Sequence, residues 1–111
     1  MTQSYEATRY YGQSLSVMEK IMEEAVEQYV DNHSQVAYVV DRHNSSITIR
    51  IPRYQGAGEL VKISVKNKSF HIKSRSIVGS HKIAWGANRR EVDALFDSIE
   101  KAFQGSALDF A

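Results

Sequence analysis

The residues of this 111-residue chain with the broadest chemical repertoire are its four histidines, His33, His43, His71 and His81. None belongs to a His-Glu-x-x-His motif or to another spacing that would place two metal ligands on one helix face. His43 stands two residues after Asp41 and shortly before two serines, which are the residue types of a nucleophilic triad. Asp, Asn and Ser also stabilise tight turns through their own backbone, and this segment is predicted to be a turn.

Other motifs of catalysis are missing from the sequence. It contains no cysteine, no Gly-x-Ser-x-Gly nucleophile motif and no Gly-x-x-x-x-Gly-Lys loop for a phosphate. Gly56 and Gly58 lack the third glycine and the strand-to-helix context of a dinucleotide site. We therefore expect a protein that is not an enzyme, with no catalytic residue, metal ion or cofactor. A small enzyme is the least favoured alternative.

The distribution of charge is the strongest functional signal in the sequence. The net charge is only +1, but residues 35–90 carry eleven basic and two acidic side chains, a net +9. Residues 1–34 and residues 91–111 are each net −4. Because a solvated surface usually mixes both signs, the basic middle of the chain favours a surface that binds a polyanion.

Composition indicates one globular domain, residues 1–111, with flexible ends at 1–13 and 105–111. The chain is 42% hydrophobic and 24% charged with a single proline, which excludes a low-complexity or disordered chain. Its apolar runs are too short for a transmembrane helix, and its first residues lack the pattern of a secretory signal. No membrane contact is expected, and the absence of cysteine fits a cytoplasmic location.

The elements that position the charged residues begin with a helix over residues 14–31. Its apolar residues recur at intervals of three and four and form one stripe, which is typical of a helix that packs on a core. Ser14 or Ser16 can cap its amino end, and Ser16 with Glu19 has the spacing of a capping box.

Alternating apolar residues predict strands after this helix, over residues 36–40, 47–51, 61–66 and 70–72. Pro52 ends the second strand, and a tight turn at Asn67-Lys68 joins the last two. A short fifth strand is predicted at 83–85. Matching the apolar faces predicts three pairs of opposing residues: Val40 with Ile47, Ile51 with Val61, and Val65 with Phe70.

A second helix is predicted to begin with a capping box from Asn88 to Glu91 and to end at Gly105. The resulting fold class is a two-layer α+β domain, in which both helices cover one face of a four-stranded antiparallel meander. The predicted core includes Met18, Met22, Ile49, Ile63, Ile72, Leu95, Phe96 and Ile99.

The predicted register places Arg50, Lys62 and Lys73 side by side on the sheet face that the helices do not cover. Folding alone disfavours such a row, because like charges directly opposed destabilise a sheet. We therefore predict a small binding protein that contacts nucleic acid or another polyanion without base specificity. The residues predicted to bind are Arg50, Lys62, Lys66, His71, Lys73, Arg75, Arg89 and Arg90. The alternative for this face is an ordinary solvated surface.

A protein-interaction module, such as an adaptor, inhibitor or immunity-type protein, is the alternative function. Apolar residues outside the predicted core support it, and the predicted partner-binding residues are Tyr10, Tyr11, Val39 and Phe110. The strand over 36–40 is apolar on both faces, which favours a homodimer or another protein partner. The competing interpretation is that the tyrosine segment packs on its own domain.

Overall fold

The structure, a computed structural model, describes residues 4–32, 37–52, 58–77 and 86–109, with the side chains of 106–109 left out. Its elements are β1 (Ser4–Tyr10), α1 (Leu15–Asn32), β2 (Tyr38–His43), β3 (Ser46–Ile51), β4 (Glu59–Lys66), β5 (Ser69–Ser76) and α2 (Ala87–Asp109). The strands form one antiparallel sheet in the order β1-β5-β4-β3-β2. Both helices pack on one face of this sheet, so the predicted α+β class is confirmed.

The fifth strand of the described sheet is β1, at the amino end of the chain. It lies within residues 1–13, which were expected to be a flexible end, and it pairs with β5 so that Ala7 faces Ile72. Its side chains on the helix side, Tyr5 and Ala7, pack against the core. The segment escapes prediction because its alternation is weak. The strand predicted at 83–85 lies outside the described residues.

The predicted register between β2 and β3 is wrong by one residue. Val39, not Val40, turns toward the core and lies opposite Ile49. The register then shifts at a β-bulge between Val39 and Asp41. The one-residue shift before the bulge places Tyr38 opposite Arg50, on the face away from the helices. Tyr38 is 48% exposed, and Val40, the unpaired residue of the bulge, is 47% exposed.

The change of face comes from this bulge, and the length of the turn accounts only for a shift of two residues, which keeps every side chain on its face. The polar residues after Val40 were assigned to a loop, whereas β2 continues to His43 and the turn is only Asn44 and Ser45. Asp41 and Arg42 are therefore strand residues, and the side chain of Arg42 forms an ion pair with Glu23 of α1.

The predicted register between β3 and β4 is wrong by two residues. Val61 lies opposite Ile49, and Ile51 lies opposite Glu59. A shift of two residues leaves every side chain on its predicted face, so the apolar pattern alone does not distinguish the two registers. β3 does end before Pro52, as predicted.

The hairpin of β4 and β5 has the predicted register. Val65 lies opposite Phe70 and Ile63 opposite Ile72. The two turn residues, Asn67 and Lys68, have φ angles of 53° and 61°. Such positive values are those of a type I′ turn, whose twist matches the twist of the flanking strands.

Ser14 caps α1, as one of the two predicted alternatives. Its carbonyl oxygen accepts a hydrogen bond from the backbone nitrogen of Met18 (2.9 Å), and its hydroxyl oxygen accepts one from that of Val17 (3.4 Å). Ser16 lies inside the helix, so the capping box with Glu19 is not formed.

Both predicted ends of the second helix are wrong. The backbone nitrogen of Arg90 donates to the carbonyl oxygen of Gly86 (3.1 Å), so the helix begins before Asn88. Asn88 is buried and bonds to β5 instead of capping. At the other end α2 passes through Gly105 and ends at Asp109.

The predicted core is confirmed, because all eight side chains are fully buried between the helices and the sheet. They are Met18, Met22, Ile49, Ile63, Ile72, Leu95, Phe96 and Ile99.

Candidate functional site

The sheet face opposite the helices, called the outer face below, carries most of the predicted binding residues. Strand pairing arranges its side chains in rows that cross the sheet. One row, called the lysine row, consists of Glu6, Lys73, Lys62, Thr48 and Asp41 on β1, β5, β4, β3 and β2. The next row, called the arginine row, consists of Arg75, Leu60, Arg50 and Tyr38 on β5, β4, β3 and β2.

The predicted row of Arg50, Lys62 and Lys73 is thus correct for the two lysines and wrong for Arg50. The two-residue shift of β3 places Thr48 beside Lys62 and Arg50 beside Leu60. Arg50 remains on the outer face, one row away from the lysines. Its side chain is partly buried there, whereas those of Lys62 and Lys73 are exposed.

The other predicted binding residues divide between the two layers of the fold. Lys66, His71 and Arg75 lie on the outer face, with Lys66 next to the turn between β4 and β5. Arg89 and Arg90 lie on α2, in the helix layer. The guanidinium of Arg89 lies 5.7 Å from the ring centre of Tyr5 and 3.8 Å from the carboxylate of Asp93. These two arginines do not join the outer face.

A shallow depression of about 330 Å³ lies in the middle of the outer face. Its lining combines positive side chains, a histidine, two hydroxyls and one apolar residue. The lining residues are Thr48, Leu60, Lys62, Ser64, His71, Lys73 and Arg75. Within the described part of the chain, Lys62 and Arg75 make no ion pair. The depression therefore offers hydrogen-bond donors and positive charge to an anion.

Acidic side chains stand at the two edges of this positive area. On β1, the carboxylate of Glu6 lies 3.9 Å from the ammonium of Lys73 and 3.5 Å from Nε2 of His71. On β2, the carboxylate of Asp41 lies 3.0 Å from Nε2 of His43. Within the lysine and arginine rows of the outer face, the cations therefore lie on the three central strands and the acids on the two edge strands.

Nδ1 of His71 lies 2.7 Å from the hydroxyl of Thr8 on β1. His71 is thus held on both ring nitrogens by the edge strand, since Glu6 faces the other nitrogen. This contact orients the imidazole at the rim of the depression.

Tyr38 is the outer-face residue that the sequence analysis missed. The predicted register turned it into the core, whereas it lies opposite Arg50 with 48% of its surface exposed. The β-bulge between Val39 and Asp41 places it outside, because the two-residue turn at Asn44-Ser45 without a bulge would pair Tyr38 with Ile51 on the core side.

The predicted partner-binding residues occupy different environments. Tyr10 is 72% exposed. Tyr11 packs on its own domain, stacked on Phe103 with ring centres 5.1 Å apart. Burial, followed by the charge of Glu100, raises the pKa of its hydroxyl above the ordinary value.

The placement of Val39 on the outer face was wrong, because it packs against the core. Ala37, which immediately precedes β2, is buried as well. Phe110 lies outside the described residues.

A second polar cluster is buried between β5 and α2. The hydroxyl of Ser74 lies 2.9 Å from Oδ1 of Asn88 and 3.1 Å from a carboxylate oxygen of Glu91, and it donates to them. The amide of Asn88 donates to the hydroxyl of Ser76 (3.3 Å). This network ties the amino end of α2 to the sheet, because the side chains of Asn88 and Glu91 both bond to hydroxyls of β5.

The described ranges hold neither a group of metal ligands nor a membrane-spanning helix. Over residues 4–32, 37–52, 58–77 and 86–109, no three His, Asp or Glu side chains are grouped to hold a metal ion. None of the helices there is both long and apolar enough to span a membrane.

Known proteins provide no functional assignment for this chain. No family model matches the sequence, and no curated protein does so. Among solved structures, the protein TTHA0849 from Thermus thermophilus is similar, at 11% identity and a TM-score of 0.46. The similarity covers 94% of this chain and 99% of that one. A likeness of this extent carries no information about function.

Proposed function

We propose that this protein binds a polyanion on the outer face, and that the polyanion is nucleic acid held through its phosphates without base specificity. The observation that carries the proposal is the direct opposition of Lys62 and Lys73 on neighbouring central strands. Two like charges in this position repel each other. A bound phosphate between them turns that repulsion into attraction.

The spacing of the cations suits several phosphates. Neighbouring strands are about 4.8 Å apart, and residues on one face of a strand repeat every ~6.8 Å. Lys62, Lys73, Arg75 and Arg50 therefore stand within an area of about 10 by 7 Å, measured at the backbone. Lysine offers a mobile point charge and arginine a planar fork for two phosphate oxygens.

Contacts of this kind carry no sequence information, because every nucleotide presents the same phosphate. Binding should depend steeply on salt, since each neutralised phosphate releases condensed counterions. With three or four such contacts, the logarithm of the association constant should fall with the logarithm of salt concentration with a slope of roughly −2 to −4.

The test replaces both lysines of the central pair with glutamine and measures binding to DNA and RNA at low salt. The control is Lys20→Gln with Lys101→Gln, which removes the same charge from exposed positions on the two helices. We expect the Lys62→Gln, Lys73→Gln protein to lose affinity and the magnitude of the salt slope to drop by about 0.7 to 0.9 per lysine. No binding at low ionic strength, or an equal loss in the control, overturns the proposal.

A protein-interaction module is the second candidate, favoured by the edge strand β2. Tyr38 and Val40 are both nearly half exposed on β2, which forms one edge of the sheet as far as the described residues show. Edge strands with exposed apolar residues favour pairing with another chain, including a second copy of this one. Sedimentation of Val40→Lys tests it: a dimer that dissociates on this change supports the module, and a native monomer at high concentration removes the homodimer.

A further inference from the structure

We infer that the nucleic acid bound on the outer face is single-stranded, and that the ring of Tyr38 stacks on one of its bases. The inference rests on the proposed function and names its ligand class. It comes from the arginine row, because Tyr38 and Leu60 in this row carry no charge that would bind a phosphate.

The arginine row combines one aromatic ring, two guanidinium groups and one apolar side chain. Tyr38 lies directly opposite Arg50, and Leu60 lies between Arg50 and Arg75. Leu60 lines the depression, and Tyr38 exposes about half of its surface. Aromatic rings and arginine planes are the groups on which unpaired bases stack.

The two rows supply different contacts to a nucleotide. A nucleotide carries its phosphate on one side of the sugar and its base on the other. The lysine row supplies charge, and the arginine row, about 6.8 Å further along the strands, supplies surfaces for bases. Tyr38 and Lys62 are two strands and one row apart, about 12 Å at the backbone, a span that their long side chains shorten.

A duplex does not use this arrangement. Its bases are stacked on each other and present only their edges, so neither Tyr38 nor Leu60 finds a ring face to cover. The positive area is also narrow, because Glu6 and Asp41 stand at the edge strands on either side of it. A duplex lying across the sheet brings further phosphates over these acids, whereas a short single strand places its phosphates over the three central strands and one base over Tyr38 on β2.

The experiment compares the affinities of the full chain for three probes at low salt: an oligothymidine of ten nucleotides, a duplex of ten base pairs and inorganic polyphosphate. The variants are Tyr38→Leu, which keeps apolar area and removes the ring, and Tyr38→Phe, which keeps the ring. Tyr38 is exposed, so both variants should fold, and circular dichroism checks this.

We expect oligothymidine to bind more tightly than the duplex. Tyr38→Leu should lower its affinity at least about fivefold, and Tyr38→Phe should leave it nearly unchanged. Polyphosphate has no bases, so neither variant should alter its binding.

Failure of the inference differs from failure of the proposed function. If all three probes bind alike, or if Tyr38→Leu leaves the oligothymidine affinity unchanged, the single-strand inference is wrong and polyanion binding stands. If none of the probes binds at low ionic strength, both are wrong. If Tyr38→Leu weakens polyphosphate as much as oligothymidine, stacking is not the role of Tyr38.

Discussion

Lys62 on β4 lies directly opposite Lys73 on β5, and both ammonium groups are on the exposed outer face. Glu6 reaches Lys73 from the edge strand, at 3.9 Å, and Lys62 has only Thr48 on its other side. The positive charge of Lys73 is therefore partly neutralised by Glu6, whereas Thr48 does not neutralise that of Lys62. The repulsion of the pair destabilises the sheet when no anion is bound between the two lysines.

Replacing Lys62 with glutamine should stabilise the free protein. Opposed like charges cost roughly 0.2–1 kcal/mol in a sheet, so the free energy of unfolding should rise by a few tenths of a kcal/mol at low salt. Urea unfolding measures it. Lys66→Gln is the matched control, because Lys66 is on the same strand and face but lies opposite Ser69. The difference should disappear in high salt, and an equal gain in both variants would show that the pair is not the cause.

Removing the hydroxyl of Ser74 should destabilise the fold. Ser74 is fully buried, and its hydroxyl donates toward Asn88 and Glu91 at the first turn of α2. Ser74→Ala removes this buried donor, with an expected loss of about 1–3 kcal/mol. Ser69→Ala is the control, because Ser69 lies on the same strand without a buried partner side chain. Equal midpoints in urea for the two variants would contradict this role of the network.

The sequence predicted the strand pairing correctly where apolar and polar residues alternate strictly, so that one face of the strand is apolar and the other polar. β4 and β5 have the expected register because Ile63 and Val65 alternate with polar residues and the turn between the strands is short. Alternation alone does not resolve a shift of two residues, which is why Arg50 was placed beside Lys62 rather than beside Leu60. The lysine pair of the candidate site was therefore predictable and the arginine row was not.

The remaining errors come from tertiary contacts that outweigh local patterns. Asn88 and Glu91 have the spacing of a capping box, but β5 offers them buried hydroxyl partners. Tyr5 and Ala7 carry too little alternation to predict β1, which forms because the open edge of β5 supplies its hydrogen bonds. In both cases the deciding partner is far away in the sequence.

Gly58 should be intolerant of any side chain. Its φ angle is +86°, and a Cβ atom there would lie 2.1 Å from the carbonyl oxygen of Ile51. Gly58→Ala should therefore cost about 1–3 kcal/mol or more. Gly105→Ala is the control with the opposite sign, because nothing lies within 4 Å of a Cβ atom at that helical position. It should stabilise the protein by up to about 1 kcal/mol, and equal signs in thermal unfolding would contradict the prediction.

Tyr11 should make the protein sensitive to alkaline pH. Burial raises the pKa of its hydroxyl in the folded state above the ordinary value of 10.0, so the neutral form is favoured by folding. The stabilisation from the neutral Tyr11 hydroxyl is fully present below pH 10.0, and it is lost as the pH rises through the folded-state pKa. Tyr11→Phe keeps the ring contacts and should lose less stability than the native protein as the pH rises above 10.0.

The control for this experiment is Tyr10→Phe, which changes the exposed tyrosine of the same segment. Urea unfolding at a series of pH values measures all three proteins. Parallel curves for the native protein and Tyr11→Phe above pH 10.0 would show that the buried hydroxyl does not cause the loss.

Glu6 should oppose binding of an anion on the outer face. Its carboxylate lies 3.9 Å from the ammonium of Lys73 and 3.5 Å from Nε2 of His71, so it lowers the positive potential at the rim of the depression. A unit charge at ~4 Å in water is worth about 1 kcal/mol, which is roughly fivefold in affinity. Glu6→Gln should therefore bind oligothymidine and polyphosphate several-fold more tightly at low salt, and the gain should shrink as salt screens the charge.

The control is Glu100→Gln, which removes an equal charge from the ion pair that Glu100 of α2 forms with Arg9. Tighter binding by both variants to the same degree would mean that net charge, rather than the outer face, attracts the anion.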